Sequence, residues 1–91
     1  IKDVIKLITN FYNVTEEIIF DKTRKKDVVR PRQVIMYILR EDFNISFPSI
    51  GEKLGGRDHT TVIHSCEKIK EDLKTNSVLM NEIAQIRSMM L

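Results

Sequence analysis

The sequence predicts an all-α fold, a compact bundle of about six helices. Three observations carry that expectation. Apolar residues recur at spacings of three and four through most of the chain. Only 3 Gly and 2 Pro occur among 91 residues, too few for the many turns of a β fold. Several of the apolar runs begin just after Thr, Ser, Asp or Asn, the residues that cap helix N-termini.

The elements follow in order. Val4, Ile5, Leu7, Ile8, Phe11 and Tyr12 give a first helix from about Lys2 to Tyr12, interrupted at Asn13. Thr15 followed by Glu16 and Glu17 reads as a cap with acids in the first turn, opening a short helix through about Phe20. Residues Lys22 to Val29 show no apolar period and read as a basic loop. Arg30-Pro31 then opens a long helix, because proline is favoured in a first turn. Val34, Ile35, Ile38, Leu39 and Phe43 form its expected buried stripe, and Asn44 to Ser46 break it.

Pro48 opens another short helix, with Ser46 or Phe47 at its cap and Ile50 and Leu54 as apolar contacts. Gly55-Gly56 ends it as a glycine C-cap does. Asp58 is the expected cap of a helix running to about Lys74. Asn76 or Ser77 caps a last helix carrying Val78, Leu79, Ile83, Ile86 and Met90. No internal repeat or low-complexity segment is visible.

Ninety-one residues suit one domain, spanning 1–91, with a modest core and little room for a buried active site. The chain opens at Ile1 directly in a helical pattern, which reads as a domain cut from a longer protein. One cysteine, Cys66, excludes an intrachain disulfide and fits a reducing, cytoplasmic setting. No signal peptide is recognisable and no apolar run is long enough to span a membrane.

The net charge of +2 says little alone, because position matters more than sum. Six of the 15 Lys and Arg fall between Lys22 and Arg32: Lys22, Arg24, Lys25, Lys26, Arg30 and Arg32, offset there only by Asp27. Such a run serves as a solvated loop in many proteins. A flexible basic loop can also enter a DNA minor groove, where an inserted Arg reads width and A·T content.

The most informative stretch runs from Phe47 to Lys74, where a short helix, a glycine turn and a longer helix make the outline of a helix-turn-helix. On a wheel of about 100° per residue, Cys66, Ile69 and Leu73 fall within about 40° of Val62. That is a core stripe. Arg57, Thr60, Thr61, His64 and Lys68 lie on the far side, a face with almost no carboxylate over its first three turns. Short hydroxyl and imidazole groups let a helix approach base edges closely, and a Thr methyl can meet a thymine methyl. The same face could instead be a solvated surface. Asp58 reads as a helix cap and as an acceptor for a cytosine amino group.

The run GGRDHTTVIHSCEKI, from Gly55 to Ile69, resembles the C-terminal DNA-binding domain of the bacterial replication initiator DnaA, domain IV of that family. Arg30-Pro31-Arg32-Gln33 and the basic loop before it also sit where that family has them, and the resemblance extends over essentially the whole chain. It implies a helix-turn-helix related to that of the Trp repressor, and a nine-base-pair DnaA box at replication origins as the target. It implies that Asp58, His59, Thr60 and Thr61 face the major groove and that Arg24 enters the minor groove. Lys22, Arg32, Gln33, His64 and Lys68 match backbone-contacting positions, Lys25 and Lys26 belong to the same basic loop, and Phe47 and Pro48 start the first helix of the motif beside the sugar-phosphate backbone. Ile35 and Ser65 depart from the alanines usual there, as packing variations.

The resemblance further implies a nucleoid-associated, non-enzymatic domain without a cofactor; no long heptad seam is visible, which predicts one copy per site. The family's ATPase domain is not part of this sequence, which contains no G-x-x-x-x-G-K-[ST] run, so ATP would bind elsewhere. Two chemical readings fail on geometry. Cys66 lies in the core stripe while His64 points about 160° away, so they cannot share a metal. Cys66 and His59 stand about 10.5 Å apart along a helix, too far for a nucleophile and its base. A protein-docking bundle, with Met89 and Met90 exposed on the last helix, and a stand-alone transcriptional regulator using the same domain are the alternatives.

Overall fold

The computed structural model describes residues 3–22 and 25–90 in full and the backbone of Lys2. Six helices follow one another: α1 (Lys2–Tyr12), α2 (Glu16–Phe20), α3 (Lys26–Glu41), α4 (Phe47–Lys53), α5 (His59–Asp72) and α6 (Ser77–Met89). No strand occurs among the described residues.

Local chemistry sets most of the boundaries. The side chains of Thr15, Ser46 and Asn76 accept from Ile18 N (3.3 Å), Ser49 N (3.3 Å) and Leu79 N (3.0 Å), each using one of the free donors at a helix start. Helix α3 ends with Asn44 in the left-handed region, φ 54°. There Asn44 N donates to the Arg40 carbonyl and Ile45 N to that of Leu39, so two otherwise unpaired carbonyls are satisfied. Asn13, at φ 58°, ends α1 in the same region.

Helix α3 runs through the middle of the molecule. Val34 to Leu39 are buried without interruption, and α1, α2, α4 and α5 all pack against it. Ile8 of α1, Ile19 of α2, Ile50 and Leu54 around α4, Val62 and Ile69 of α5 and Ile86 of α6 close the same core.

Four expectations need correction. Helix α3 begins at Lys26, four residues before the Arg30-Pro31 step, so half of the expected basic loop is helical. Val28 is the reason: it is buried at 5% exposure and extends the apolar stripe one turn back from Pro31. Pro31 lies within the helix, where it removes one backbone donor near the helix start. Phe43 is 47% exposed rather than part of the stripe, because the chain leaves the helix at Asp42. Val78, in the first turn of α6, is likewise exposed. Helix α5 stops at Asp72, two residues short of Lys74.

Candidate nucleic-acid interface

The turn between α4 and α5 is built from three glycines, two of which are forced. A Cβ on Gly51 would lie 2.1 Å from the Arg57 carbonyl oxygen, because the chain folds back so tightly that Arg57 N donates to Gly51 O at 2.8 Å. Gly55 has φ +87° and a Cβ there would lie 2.6 Å from Phe20 O, the end of α2. The turn is therefore pressed against α2 as well as closed on itself.

Two guanidinium groups lock this junction. Arg32 is 7% exposed; its Nε donates to Ile19 O (2.8 Å), and its Nη2 to Asp21 O (2.8 Å) and Ile18 O (3.4 Å). Arg57 donates to the carbonyls of Leu54, Phe20 and Asp21. A five-residue helix such as α2 leaves most of its carbonyls unpaired, and these two arginines supply the donors. Burial lowers the pKa of both groups, and each guanidinium's own positive charge is offset by Asp21 nearby; Arg32 also feels the charge of Arg57. Arg32, expected at a phosphate, is thus largely buried and bonded to the backbone around the end of α2, while it also lines the groove shared by Lys22, Arg57, Asp58 and Thr61. Arg57, placed by the helical wheel on the outer face, turns inward. It precedes the helix, so the wheel does not apply to it.

Helix α5 divides as expected. Val62, Cys66 and Ile69 are buried, and Leu73 is partly so. Asp58, His59, Thr60, Thr61, His64 and Lys68 are all exposed. Asp58 occupies the N-cap position, but its carboxylate makes no capping bond. It lies instead 3.4 Å from His59 Nδ1, on the surface. The dual reading of Asp58 thus loses its capping half. Burial, with Glu41 adding to it, pushes the Cys66 thiol up to about 11, so it stays protonated near neutrality and suits a core residue better than a nucleophile.

The structure brings several of the expected residues together. One groove is lined by Lys22, Arg57, Asp58 and Thr61, joining the basic segment to the start of α5. A second, separated from it by Val29, is lined by Lys26, Arg30, Gln33 and Lys68. Lys22, Lys25 and Lys26 are exposed and Gln33 is half-buried. Arg24, expected in the minor groove, lies outside the described residues. Pro48 is exposed at the start of α4, while Phe47 packs partly against the core with the Arg40 guanidinium 4.3 Å from its ring centre. The ring is thus engaged by the protein itself. Arg30 and Asp72 are the residues that sequence reasoning missed: they pair across α3 and α5 at 2.8 Å. Asp72 follows Lys68 by one helical turn, a spacing that flags their own contact but not the one that reaches across from α3.

No helix among the described residues is long and apolar enough to cross a membrane. A family model of the bacterial dnaA protein helix-turn-helix matches residues 1–69, from α1 into α5 and through the whole of the glycine turn. That match spans well over half of the chain, and the protein therefore belongs to the DnaA helix-turn-helix family, a DNA-binding, replication-initiation family of all-α fold.

Proposed function

We propose that this domain binds double-stranded DNA sequence-specifically at nine-base-pair boxes of the DnaA type, for initiation of bacterial chromosome replication. In this reading the N-terminal half of α5 enters the major groove. Asp58, His59, Thr60 and Thr61 meet base edges, and Lys22, Lys25, Lys26, Gln33, His64 and Lys68 meet the sugar-phosphate backbone. Arg24 reads the adjacent minor groove. One copy occupies each site, the domain performs no chemistry and needs no cofactor, and any nucleotide acts on a separate ATPase domain. Such a protein would reside with the nucleoid in the cytoplasm.

The observation that carries this reading is the two-faced α5. Short hydrogen-bonding side chains crowd its exposed N-terminal turns, directly beside a groove shared with Lys22. Groups of this size suit direct readout of base edges. Lysines flanking them suit phosphate.

Binding of a labelled box duplex against a scrambled duplex, at near-physiological salt, tests the reading. Preference for the box by about a thousandfold, the lower range of specific recognition, is expected. Equal affinity for both duplexes would overturn it.

A further inference from the structure

The groove between the start of α3 and the later turns of α5 holds an ion arrangement of which the DNA reading uses Lys68 but neither Arg30 nor Asp72. Arg30 Nη2 lies 2.8 Å from Asp72 Oδ2, and Lys68 Nζ lies 3.4 Å from the other carboxylate oxygen. One carboxylate therefore spans two cations that come from two helices. The hydrogen bond from Arg30, with Lys68 helping, holds the Asp72 carboxyl below the usual carboxylate range, so it is ionised near neutrality. The other Arg30 nitrogen, Nη1, is closed to solvent and has no hydrogen-bond partner among the described residues. The guanidinium is thus held at one end only, short of the two-bonded fork it can make with an oxyanion.

The same two cations line the groove beside Gln33 and Lys26. A neutral amide and three cations around a shallow groove make a seat for an anion with several oxygens. Asp72 fills only part of that role. Lys68 is largely exposed, so its bond to Asp72 is weak and readily exchanged.

We propose that Asp72 stands in for a DNA backbone phosphate in the free protein. It holds Arg30 and Lys68 at the groove, a phosphate takes them over when duplex binds, and the displaced carboxylate remains nearby as a brake on affinity. Arg30 becomes a backbone contact, and Asp72 a positioning residue that lowers binding to every sequence alike. The inference rests on the DNA-binding reading above and adds a regulator of its strength.

The test compares Asp72→Asn with the parent chain on box and random duplexes over a range of salt. Asn keeps an oxygen for Arg30, and a thermal melt checks that the fold persists. Affinity is expected to rise about threefold on both duplexes, the size of a surface charge effect. The slope of log K against log salt is expected to stay near that of the parent, because the same phosphate is contacted in both chains. Arg30→Gln should cost more affinity in the Asp72→Asn background than alone. An unchanged or weakened affinity would overturn the proposal, as would a gain confined to the box sequence or one that Arg30→Gln leaves intact. If the parent shows no salt-dependent binding to either duplex, the DNA reading itself falls and takes this inference with it.

Discussion

Arg32 and Arg57 donate to the same backbone carbonyl, that of Asp21. One comes from the central helix and the other from the turn of the helix-turn-helix. Through that single oxygen, the end of α2 becomes the anchor for both the basic segment that starts at Lys22 and the turn that aims α5. Two cations so close repel each other, and the structure tolerates this because backbone carbonyls of Ile18, Ile19, Phe20, Asp21 and Leu54 accept from them.

Replacing Arg32 is expected to damage stability before it touches binding. Arg32→Ala leaves the Ile19 carbonyl without its guanidinium donor and that of Asp21 with Arg57 alone, and bonds to a charged group contribute about 1.5–3 kcal/mol. The urea midpoint should fall by a corresponding amount with little change in m value. Arg32→Lys should also lose stability, because an ammonium cannot reproduce the fork. A phosphate-contacting arginine would show the opposite pattern: unchanged urea midpoint and weakened DNA binding.

The glycines of the turn should separate by the kind of constraint each obeys. A Cβ on Gly56 meets nothing within 4 Å, so Gly56→Ala carries only the cost of its φ of +75°, about 1–2 kcal/mol. Gly51 sits in helical backbone with no such strain, but a Cβ there collides with the Arg57 carbonyl. Gly51→Ala must open the turn and should cost more than Gly56→Ala in chemical denaturation, on the order of 3 kcal/mol. Equal costs would mean that the turn is looser than described.

Alkaline pH should destabilise the fold through two acids, the buried Cys66 and the half-buried Tyr12. Cys66 is raised to about 11 by burial, and Tyr12 is raised by burial, by the charge of Glu82 and by its hydrogen bond to that residue. In the unfolded chain both ionise at lower pH than in the folded one. Their contribution is therefore complete below the unfolded values and is lost as pH climbs beyond them. Thermal melts should be flat with respect to these groups up to about pH 9 and fall above it. Cys66→Ala together with Tyr12→Phe should flatten the fall; an undiminished fall in that variant would assign it to other groups.

Much of the fold was legible because α1, α2, α4, α5 and α6 each carry a cap or a clear period close to where the structure starts them. The two faces of α5 were legible for the same reason: Val62, Cys66 and Ile69 repeat at helical spacing, so the opposite face follows. What was hidden depends on contacts distant in sequence. Arg32 looked like any exposed cation until the carbonyls at the end of α2 were placed beside it. Arg57 followed the wheel only on paper, since it precedes the first helical residue. The start of α3 was obscured because charged neighbours masked the single apolar Val28. Phe43 obeyed the period but lay two residues beyond the helix.

The central claim is that the exposed N-terminal turns of α5 read bases while its later cation grips the backbone. The most direct measurement is the ratio of box to random-duplex affinity for Thr60→Ala, His59→Ala and Lys68→Ala at one fixed salt concentration. The first two should lower that ratio by about 1–3 kcal/mol, roughly 5- to 150-fold, and Lys68→Ala should weaken both duplexes while leaving the ratio near its parent value. Ratios unchanged in both Thr60→Ala and His59→Ala would contradict it.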